Sequence, residues 1–246
     1  MEQFLPIPHC PTKKVTLCAV GEEFPQVREQ LVQQKIEIFT VPVNPKLSDP
    51  VKCHPDLQLG VLAGDRIAIG KGERGLQKRL VELGFTTIES EFPLSSHYPQ
   101  EAVLDFVSLD DRIIGHEAIL RKNRLLNNSQ TIDVKQGYTK CNAAIITQRA
   151  MITSDPSIAN ACRANNMDVL LIRSGFIELP GYDTGFIGGC CGLIAADQLA
   201  VCGDLHTHPD CECIHEFLHK YNVSVLQLAD GTLKDIGGII PLKQSN

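Results

Sequence analysis

The sequence contains no apolar run that approaches the roughly 20 residues that a membrane-spanning helix needs. Its first residues, Met1-Glu2-Gln3-Phe4, also lack the basic start of a secretory signal peptide. We therefore expect no membrane association and a cytoplasmic location. Without a secretory signal, disulfide bonds are not expected among the 10 cysteines.

A run of lysine or arginine residues is also absent, and the net charge is −6. Such a chain lacks the positive charge that binds a phosphate backbone, so nucleic acid is not expected as a partner. No low-complexity segment or strong linker divides the sequence. With 246 residues, 43% of them hydrophobic, the chain can bury a large core, which predicts one domain over residues 1–246.

The sequence does contain a strand-turn-strand pattern that recurs four times, in residues 60–70, 106–115, 144–154 and 191–203. The spacing between the polar turn residues of successive copies fits one hairpin plus one helical connection. The pattern therefore predicts a fold built from repeated units.

The connections between the copies support this interpretation. After the first hairpin, Leu76, Leu80 and Leu83 share one helical face, and a strand follows. After the fourth, Pro209 occupies the expected first helical position. The stretch after the second hairpin, residues 117–128, is short and basic and ends in Asn127-Asn128-Ser129, so a helix is doubtful there.

A fifth unit forms when the two ends of the chain are joined. Residues 14–43 supply a strand, a helix and a second strand, and residues 235–242 can supply the missing first strand. This pairing would cover the open edges of the repeats. The sequence therefore predicts an α/β fold, a five-unit β-β-α-β propeller closed by pairing of the N- and C-terminal strands. Its units lie near residues 57–90, 102–135, 142–173, 186–228 and 235–242 joined with 14–43.

Five glycine-containing segments accompany these units: residues 137–141, 177–182, 186–190, 203–208 and 235–241. Together with the five-unit ring they resemble the pentein superfamily, the guanidine-modifying enzymes that include arginine deiminase, agmatine deiminase and dimethylarginine dimethylaminohydrolase. The resemblance covers nearly the whole chain. Within the superfamily, the sequence is similar to an uncharacterised bacterial branch that lacks the usual C-terminal nucleophilic cysteine.

The resemblance implies a polar site in the central channel of the ring and a small guanidino or cationic amino-acid-like ligand. In that superfamily a cysteine thiolate attacks the guanidinium carbon, a histidine transfers protons, and carboxylates hold the guanidinium nitrogens. A cationic substrate beside a thiol lowers the thiol pKa, and a planar cation is matched by bidentate carboxylates. No cofactor is expected.

Two departures from the superfamily pattern concern catalysis. Residues 235–242, where the nucleophile is expected, contain neither cysteine nor serine. Gly188-Gly189-Cys190 replaces a Gly-Gly-Asp motif, which removes one substrate-binding carboxylate. The catalytic roles therefore cannot be transferred directly at these two positions.

Cys141 is the first alternative nucleophile, because a neighbouring ammonium such as that of Lys140 can stabilise a thiolate. Lys140 is predicted to point to the opposite face of a strand, however, and the alternative is a small strand residue beside a turn. Cys190 follows two glycines, which permit either close approach to a ligand or a bulge in the ring.

Two similar motifs hold further candidates. In His208-Pro209-Asp210, Asp210 falls in a predicted first helical turn, where its charge suits the helix dipole, so capping is favoured over catalysis. His54-Pro55-Asp56 precedes a strand rather than a clear helix, so capping does not explain it. We therefore predict a catalytic role for His54 and a substrate-binding role for Asp56.

Three residues near loops are further candidates for substrate binding. Glu178 and Asp183 flank a loop between two strands, and with Arg173 just before it this loop could present a carboxylate and a guanidinium to the channel, with a surface salt bridge as the alternative. Asp235 begins the closing strand and could face the channel or end a turn.

A histidine and cysteine cluster suggests a metal site as a less favoured alternative. If a helix starts at Pro209, then Cys211, His215 and His219 share one face at a spacing valid for zinc, with His206 nearby. A solvent-exposed helical face often collects polar residues as well, and no Cys-x-x-Cys pair is present.

Three classes of function therefore stay open. The first is a hydrolase or transferase acting on a guanidino or amidino compound. The second is a non-catalytic module that binds a small molecule or a protein and retained the fold, and the third is a metal-binding protein. The sequence does not indicate an oligomeric state.

Overall fold

The computed structural model describes residues 2–125 and 130–246. Its strands, in chain order, are β1 (Glu2–Phe4), β2 (Val15–Gly21), β3 (Glu37–Val41), β4 (Gly60–Val61), β5 (Arg66–Ile69), β6 (Thr86–Glu89), β7 (Val107–Ser108), β8 (Arg112–Gly115), β9 (Gln130–Asp133), β10 (Ala143–Thr147), β11 (Ala150–Thr153), β12 (Asp168–Leu171), β13 (Cys191–Ala195), β14 (Gln198–Val201), β15 (Ser224–Gln227) and β16 (Ile240–Ser245).

The α-helices are α1 (Pro25–Gln33), α2 (Pro55–Gln58), α3 (Arg74–Glu82), α4 (Glu117–Lys122), α5 (Thr139–Asn142), α6 (Pro156–Ala164) and α7 (Cys211–Lys220). Short 3₁₀ segments lie at Asp49–Val51, Gln100–Ala102, Ile187–Gly189 and Leu205–Thr207. None of the helices in the described ranges has the length and apolarity to cross a membrane.

Four of the sheets have the same three-stranded construction. In each, the first two strands form an antiparallel hairpin, and the third strand returns parallel to the second after a helix. The sheets are β4-β5-β6, β7-β8-β9, β10-β11-β12 and β13-β14-β15. We call these the first to fourth units.

The fifth sheet takes its strands from both ends of the chain, in the order β1-β16-β2-β3. Strand β16 pairs antiparallel with β2, with Ile240 opposite Ala19, and β2 pairs parallel with β3. We call this sheet the fifth unit. The predicted α/β class is confirmed, and β1 adds an edge strand that the sequence pattern did not reveal.

Five buried apolar clusters join the units in cyclic order. One cluster packs Leu62 of the first unit with Ile113 of the second, and equivalent clusters join the second to the third, the third to the fourth and the fourth to the fifth. The last packs Leu17 of the fifth unit with Ile67 of the first. Because each apolar face is covered by the next unit, the units stabilise one another by burial.

Helix α6 shows how the local sequence sets an element's start. The side chain of Asp155 accepts hydrogen bonds from the backbone N–H groups of Ser157 and Ile158, at 2.7 and 2.9 Å, and Pro156 begins the helix. Such a cap contributes about 1 kcal/mol. Ile158 and Cys162 lie on the buried face of α6.

Four local expectations were wrong. A helix, α4, does follow the second hairpin, although Asn127-Asn128-Ser129 lie outside the described residues. Helix α7 begins at Cys211 instead of Pro209. His54 precedes the short helix α2, and Cys141 lies on α5 instead of on a strand. In the last two cases a single helical turn before a hairpin has no periodicity from which to predict it.

Candidate active site

Five short segments, one before the first hairpin strand of each unit, contact one another. The contacts are Asp56 N–Gly237 O at 3.3 Å, Cys141 Sγ–Asp56 Oδ2 at 3.0 Å, Cys141 N–Asp105 Oδ1 at 2.9 Å, Lys140 Nζ–Gly188 O at 3.1 Å and Ile236 N–Gly189 O at 2.9 Å. One of these bonds joins the first unit to the third, which are not neighbours. The contacting segments therefore meet at the centre of the arrangement.

Cys141 is held between two carboxyl groups. Its thiol donates to Oδ2 of Asp56, and its backbone N–H donates to Oδ1 of Asp105. Burial, together with the charges of Asp105 and Asp56, raises the pKa of the Cys141 thiol well above its usual value. The resting state is therefore a neutral thiol.

Asp56 and Asp105 are both buried, and each has one carboxyl oxygen without a hydrogen-bond partner, Oδ1 and Oδ2 respectively. Burial and the neighbouring charge of Asp105 raise the pKa of Asp56 well above its usual value. Burial likewise raises the pKa of Asp105 to about 7. The two unpartnered oxygens offer acceptor positions that a bound group can fill.

Lys140 brings a positive charge into the same centre. Its backbone N–H donates to Oδ1 of Asp105, and its buried Nζ donates to the carbonyl of Gly188. On a strand, as the sequence predicted, Lys140 would point to the face opposite Cys141. On the helical turn of α5 both residues instead bond Asp105, so their backbone N–H groups point to one carboxylate.

His54 and Asp235 form the second polar pair of the site. His54 Nδ1 lies 3.7 Å from Asp235 Oδ1, and neither ring nitrogen of His54 has a hydrogen-bond partner. Burial lowers the pKa of His54, which favours the neutral imidazole. Asp235 is fixed by the backbone N–H groups of Phe186 and Gly237, at 2.9 and 3.0 Å.

Two glycines allow this close approach. A Cβ on Gly189 would lie 1.9 Å from Oδ1 of Asp235, and one on Gly237 would lie 2.4 Å from Cβ of His54. Gly237 also has a φ of +73°, which disfavours other residues. Gly189 is therefore required by the carboxylate of Asp235, and Gly237 is required by the side chain of His54.

A cavity of about 110 Å³ opens beside Cys141, His54 and Asp235. Its walls are mainly apolar, with Leu57 and Phe186 among the lining side chains. A cavity of this kind, apolar with a few convergent polar groups, is typical of a small-molecule site.

The structure brings together five of the seven sequence-predicted catalytic and substrate-binding residues: Cys141, His54, Asp56, Asp235 and Cys190. Cys190 is buried next to Gly189, and its thiol donates to the carbonyl of Phe186 at 3.2 Å. Cys190 therefore packs beside Gly189 at the centre, with its thiol bonded to the backbone.

Arg173 and Glu178 lie apart from the centre. Arg173 is exposed and forms a two-pronged ion pair with Asp210, with distances of 2.9 and 2.6 Å. Glu178 is exposed, and its carboxylate accepts a hydrogen bond from Thr232. The Arg173 contact is a surface salt bridge, the kind of contact that formed the alternative interpretation. Asp210 precedes α7, but its side chain forms no cap hydrogen bond to the helix.

The His206, Cys211, His215 and His219 cluster does not assemble a ligand set. The rings of His206 and His215 lie 5.4 Å apart, but no three ligand atoms of this cluster lie within 4.8 Å of one another. In the described ranges, the one group that meets this criterion is Asp56, Asp105 and Cys141. Two carboxyls and a thiol are donor groups of the kind that a divalent metal binds.

Asp105, Glu101 and Tyr138 were not predicted as site residues. Asp105 is the one acid in the otherwise apolar run 102–107, directly before the second hairpin, which is the signal that could have revealed it. Glu101 and Tyr138 line the cavity, and the Tyr138 hydroxyl donates to Oε2 of Glu101 at 2.7 Å. No local pattern marks these two.

Comparison with known proteins gives a family and a fold. A model of the family described as "Family of unknown function (DUF6873)" matches residues 20–240. A search of curated proteins found no match.

Solved structures are similar over nearly the whole chain. An inosamine-phosphate amidinotransferase from Streptomyces griseus is 8% identical with a TM-score of 0.59, covering 97% of this chain and 96% of that chain. An agmatine deiminase from C. jejuni is 10% identical with a TM-score of 0.56, covering 91% and 90%. An amidinotransferase of saxitoxin biosynthesis from Microseira wollei is 10% identical with a TM-score of 0.52, covering 94% and 92%. The predicted pentein resemblance is therefore confirmed for the fold.

Proposed function

The chain belongs to the family of unknown function DUF6873, and we propose that it is a thiol-dependent hydrolase or transferase acting on a guanidino or amidino compound. The observation that carries this proposal is the buried Asp56–Cys141–Asp105 cluster, with a thiol 3.0 Å from a carboxyl oxygen and two further carboxyl oxygens without partners. The names of similarly folded proteins, deiminases and amidinotransferases, support the same class of substrate.

The charges of the site favour a cationic ligand. Three buried carboxyl groups, Asp56, Asp105 and Asp235, face one buried ammonium, Lys140. Unbalanced buried negative charge is costly, so this excess of carboxyl groups favours the binding of a cation. A guanidinium is planar and directs several N–H groups in one plane, which matches a set of carboxylates. Its arrival would favour the ionised carboxylates and thiolate.

When the guanidinium binds, the carboxyl of Asp56 releases its own proton to solvent. In the first step, the Cys141 thiol gives its proton to this ionised carboxylate, and the sulfur electron pair forms a C–S bond to the guanidinium carbon. The C–N bond to the leaving amine then breaks, and the amine takes the proton from Asp56. The positive charge stays on the thiouronium group bound to Cys141, so atoms and charge balance.

In the second step, water or an acceptor amine attacks the same carbon. His54, neutral because burial lowers its pKa, accepts a proton from the attacking group. The C–S bond breaks, its electron pair returns to sulfur, and His54 passes its proton to that sulfur. When water is the attacking group, its second proton leaves for solvent as the carbonyl forms. Water yields a ureido product and an amine yields a new guanidine.

A non-catalytic binding protein is the second candidate, and one observation favours it. The pKa of the Cys141 thiol is raised by burial and by two carboxyls, which is opposite to the environment of a resting thiolate nucleophile. In such a protein the carboxyls would hold the cation and Cys141 would only pack against it.

Turnover assays separate the two candidates. Purified protein is incubated with arginine, agmatine and methylated arginines, and ammonia, released amine and ureido product are measured, with an added amine acceptor in a parallel set. We expect turnover in the wild type, loss of at least about a hundredfold in Cys141→Ala, and normal turnover in Cys162→Ala.

Cys162 is a suitable control because it is equally buried but lies on α6, in an apolar cluster outside the site. A thiouronium adduct on Cys141, seen by intact mass spectrometry, would support the covalent step. The enzyme proposal fails if the panel is not turned over, or if Cys141→Ala turns it over as fast as the wild type. Binding without turnover would establish the second candidate.

A further inference from the structure

Three potential metal ligands from three different units lie close together at the centre of the molecule. A carboxyl oxygen of Asp56, one of Asp105 and the sulfur of Cys141 all lie within 4.8 Å of one another, and all three residues are buried. Around a tetrahedral zinc ion, with bonds of about 2.0–2.3 Å, neighbouring ligand atoms are roughly 3.3–3.7 Å apart. Shifts of about 1 Å would therefore bring the three donors onto one ion.

The two carboxyl groups keep acceptor positions free for such an ion. Among the described residues, Oδ1 of Asp56 and Oδ2 of Asp105 have no hydrogen-bond partner, although both atoms are buried. The other oxygen of Asp105 accepts the backbone N–H groups of Lys140 and Cys141. Carboxylates that bind metals are themselves oriented by hydrogen bonds of this kind. The unpartnered oxygens therefore point to a ligand that supplies positive charge.

The charges of the centre match a divalent ion. Asp56, Asp105 and Cys141, once ionised, carry three negative charges. Lys140 carries one positive charge in the same centre, where its Nζ donates to the carbonyl of Gly188 at 3.1 Å. Two further positive charges are needed for these four side chains to be neutral together. Because buried charge is costly unless it is balanced, this count favours a divalent cation.

The donor types select among divalent ions. A thiolate is a soft ligand that favours zinc and chemically similar ions, whereas magnesium and calcium prefer sites made of oxygen alone. Two carboxylates and a thiolate leave the fourth tetrahedral position for a water molecule. Cys141 lines the cavity, so both the ion and that water can reach the thiol from there.

We propose that Asp56, Asp105 and Cys141 form a binding site for one divalent cation of the zinc class. Binding replaces the S–H bond of Cys141 by a sulfur–metal bond, and the thiol proton leaves for solvent. The site is distinct from the histidine and cysteine cluster at α7. Its regulatory consequence rests on the proposed function: a sulfur and carboxylates bound to the ion cannot at the same time attack and hold a guanidinium, so the ion inhibits turnover.

Cobalt(II) binding tests the site independently of turnover. Cobalt bound to a thiolate gives a sulfur-to-metal charge-transfer band, and a titration follows this band in the full chain without a histidine tag. Cys211→Ser and Cys213→Ser first remove the two most accessible thiols. We expect one band-forming ion per chain, displaced by Zn²⁺ and not by an excess of Mg²⁺.

Substitutions in this background identify the ligands. Cys141→Ala should abolish the band, and Asp56→Asn and Asp105→Asn should each weaken cobalt binding at least about tenfold, since even changes in the outer shell of a metal site have this effect. Cys162→Ala, at a buried thiol in an apolar cluster, should change neither the band nor the affinity. A band that survives Cys141→Ala, or one that is indifferent to both aspartate substitutions, would overturn the site.

X-ray absorption decides the question even where a substituted centre fails to fold. With one equivalent of zinc, the protein carrying only Cys211→Ser and Cys213→Ser should show one sulfur ligand at about 2.3 Å, oxygen ligands at about 2.0 Å and no imidazole. An imidazole ligand, or the absence of sulfur, would overturn the site.

Turnover distinguishes this inference from the proposed function. For a guanidino compound that is turned over, at a concentration well below KM, zinc at about ten times its Kd should lower the rate about tenfold. A chelator should restore the rate. The cobalt band without any turnover would refute the enzyme and uphold the metal site, and turnover without the band would do the reverse. Full turnover with the site loaded would overturn the inhibition.

Discussion

The sulfur of Cys141 lies 3.0 Å from Oδ2 of Asp56, although 85 residues separate them in the chain and they belong to the third and first units. This contact crosses the centre of the arrangement and joins the proposed nucleophile to the proposed proton acceptor. Burial raises the pKa of both groups, and the effects can be measured through pH dependence, substitution and chemical modification.

Replacing Asp56 by Asn should separate stability from activity. Because burial and Asp105 raise the pKa of Asp56, a neutral amide resembles its favoured protonated form, and we expect the free energy of unfolding to change by less than about 1 kcal/mol. Turnover should fall at least about a hundredfold, because the amide cannot accept the thiol proton. Asp65→Asn, at a hairpin turn, serves as the control and should retain turnover. Unchanged turnover in Asp56→Asn would exclude Asp56 as the proton acceptor.

The pH dependence of stability should carry the signature of Asp105. Its folded-state pKa of about 7 lies above the unfolded value of about 3.9, so the contribution of Asp105 to stability is lost as pH rises from about 4 to 7. Asp105→Asn cannot ionise and avoids this loss. The unfolding free energy of the variant relative to wild type should therefore increase across that window.

Urea unfolding of both proteins at intervals between pH 4 and 8 gives this difference directly. Taking the difference cancels the opposite effect of His54, whose lowered pKa makes the wild type gain stability as pH rises through the same range. A difference that does not vary with pH would contradict the raised pKa of Asp105.

Adding one methyl group at Gly189 should disrupt the site. A Cβ there would lie 1.9 Å from Oδ1 of Asp235, and the adjoining backbone is fixed by its bonds to Ile236 and Gly238. We expect Gly189→Ala to lower the unfolding free energy by about 2 kcal/mol or more and to abolish ligand binding.

Gly75→Ala is the matched control for this substitution. It lies within α3 with no atom within 4 Å of the added Cβ, so it should stabilise the protein by about 0.5–1 kcal/mol. Thermal or urea unfolding compares the two. If the two substitutions changed the unfolding free energy equally, the space between Gly189 and Asp235 would not explain the need for glycine at position 189.

Thiol modification should distinguish the surface from the centre. Cys213 is exposed and Cys211 half-buried, whereas Cys141 is buried with a raised pKa. At pH 8 a thiol reagent should modify Cys213 first and Cys211 next, and should leave Cys141 unmodified until the protein unfolds. Peptide mass mapping over time identifies each product. Early modification of Cys141 would indicate an accessible thiolate.

The fold was predictable because its evidence is local and repeated. Each hairpin and each apolar helical stripe lies within one unit, and the fifth unit followed from the edge that Lys14–Val20 would otherwise leave unpaired. The single helical turns Pro55–Gln58 and Thr139–Asn142 were not predictable, because four residues are too few to repeat a helical pattern of apolar positions.

The site was predictable only where a motif marked it. His54-Pro55-Asp56 and Asp235-Ile236-Gly237-Gly238 have unusual local composition, and the structure places both at the centre. Asp105 has no such motif, and its role depends on contacts with another unit. Arg173 and Glu178 have conspicuous charges, but those charges are satisfied by Asp210 and Thr232 at the surface.

The position of β16 between β1 and β2 has a consequence for biosynthesis. During translation, β2 leaves the ribosome with its neighbouring sheet position empty, and that position is filled only after residues 240–245 have been made. Asp235 and Gly237, which complete the polar centre, emerge at the same late stage. A nascent chain thus holds Cys141, Asp56 and His54 without Asp235, which lies 3.7 Å from His54 in the folded protein, and we expect any activity to begin only after the last strand has been made.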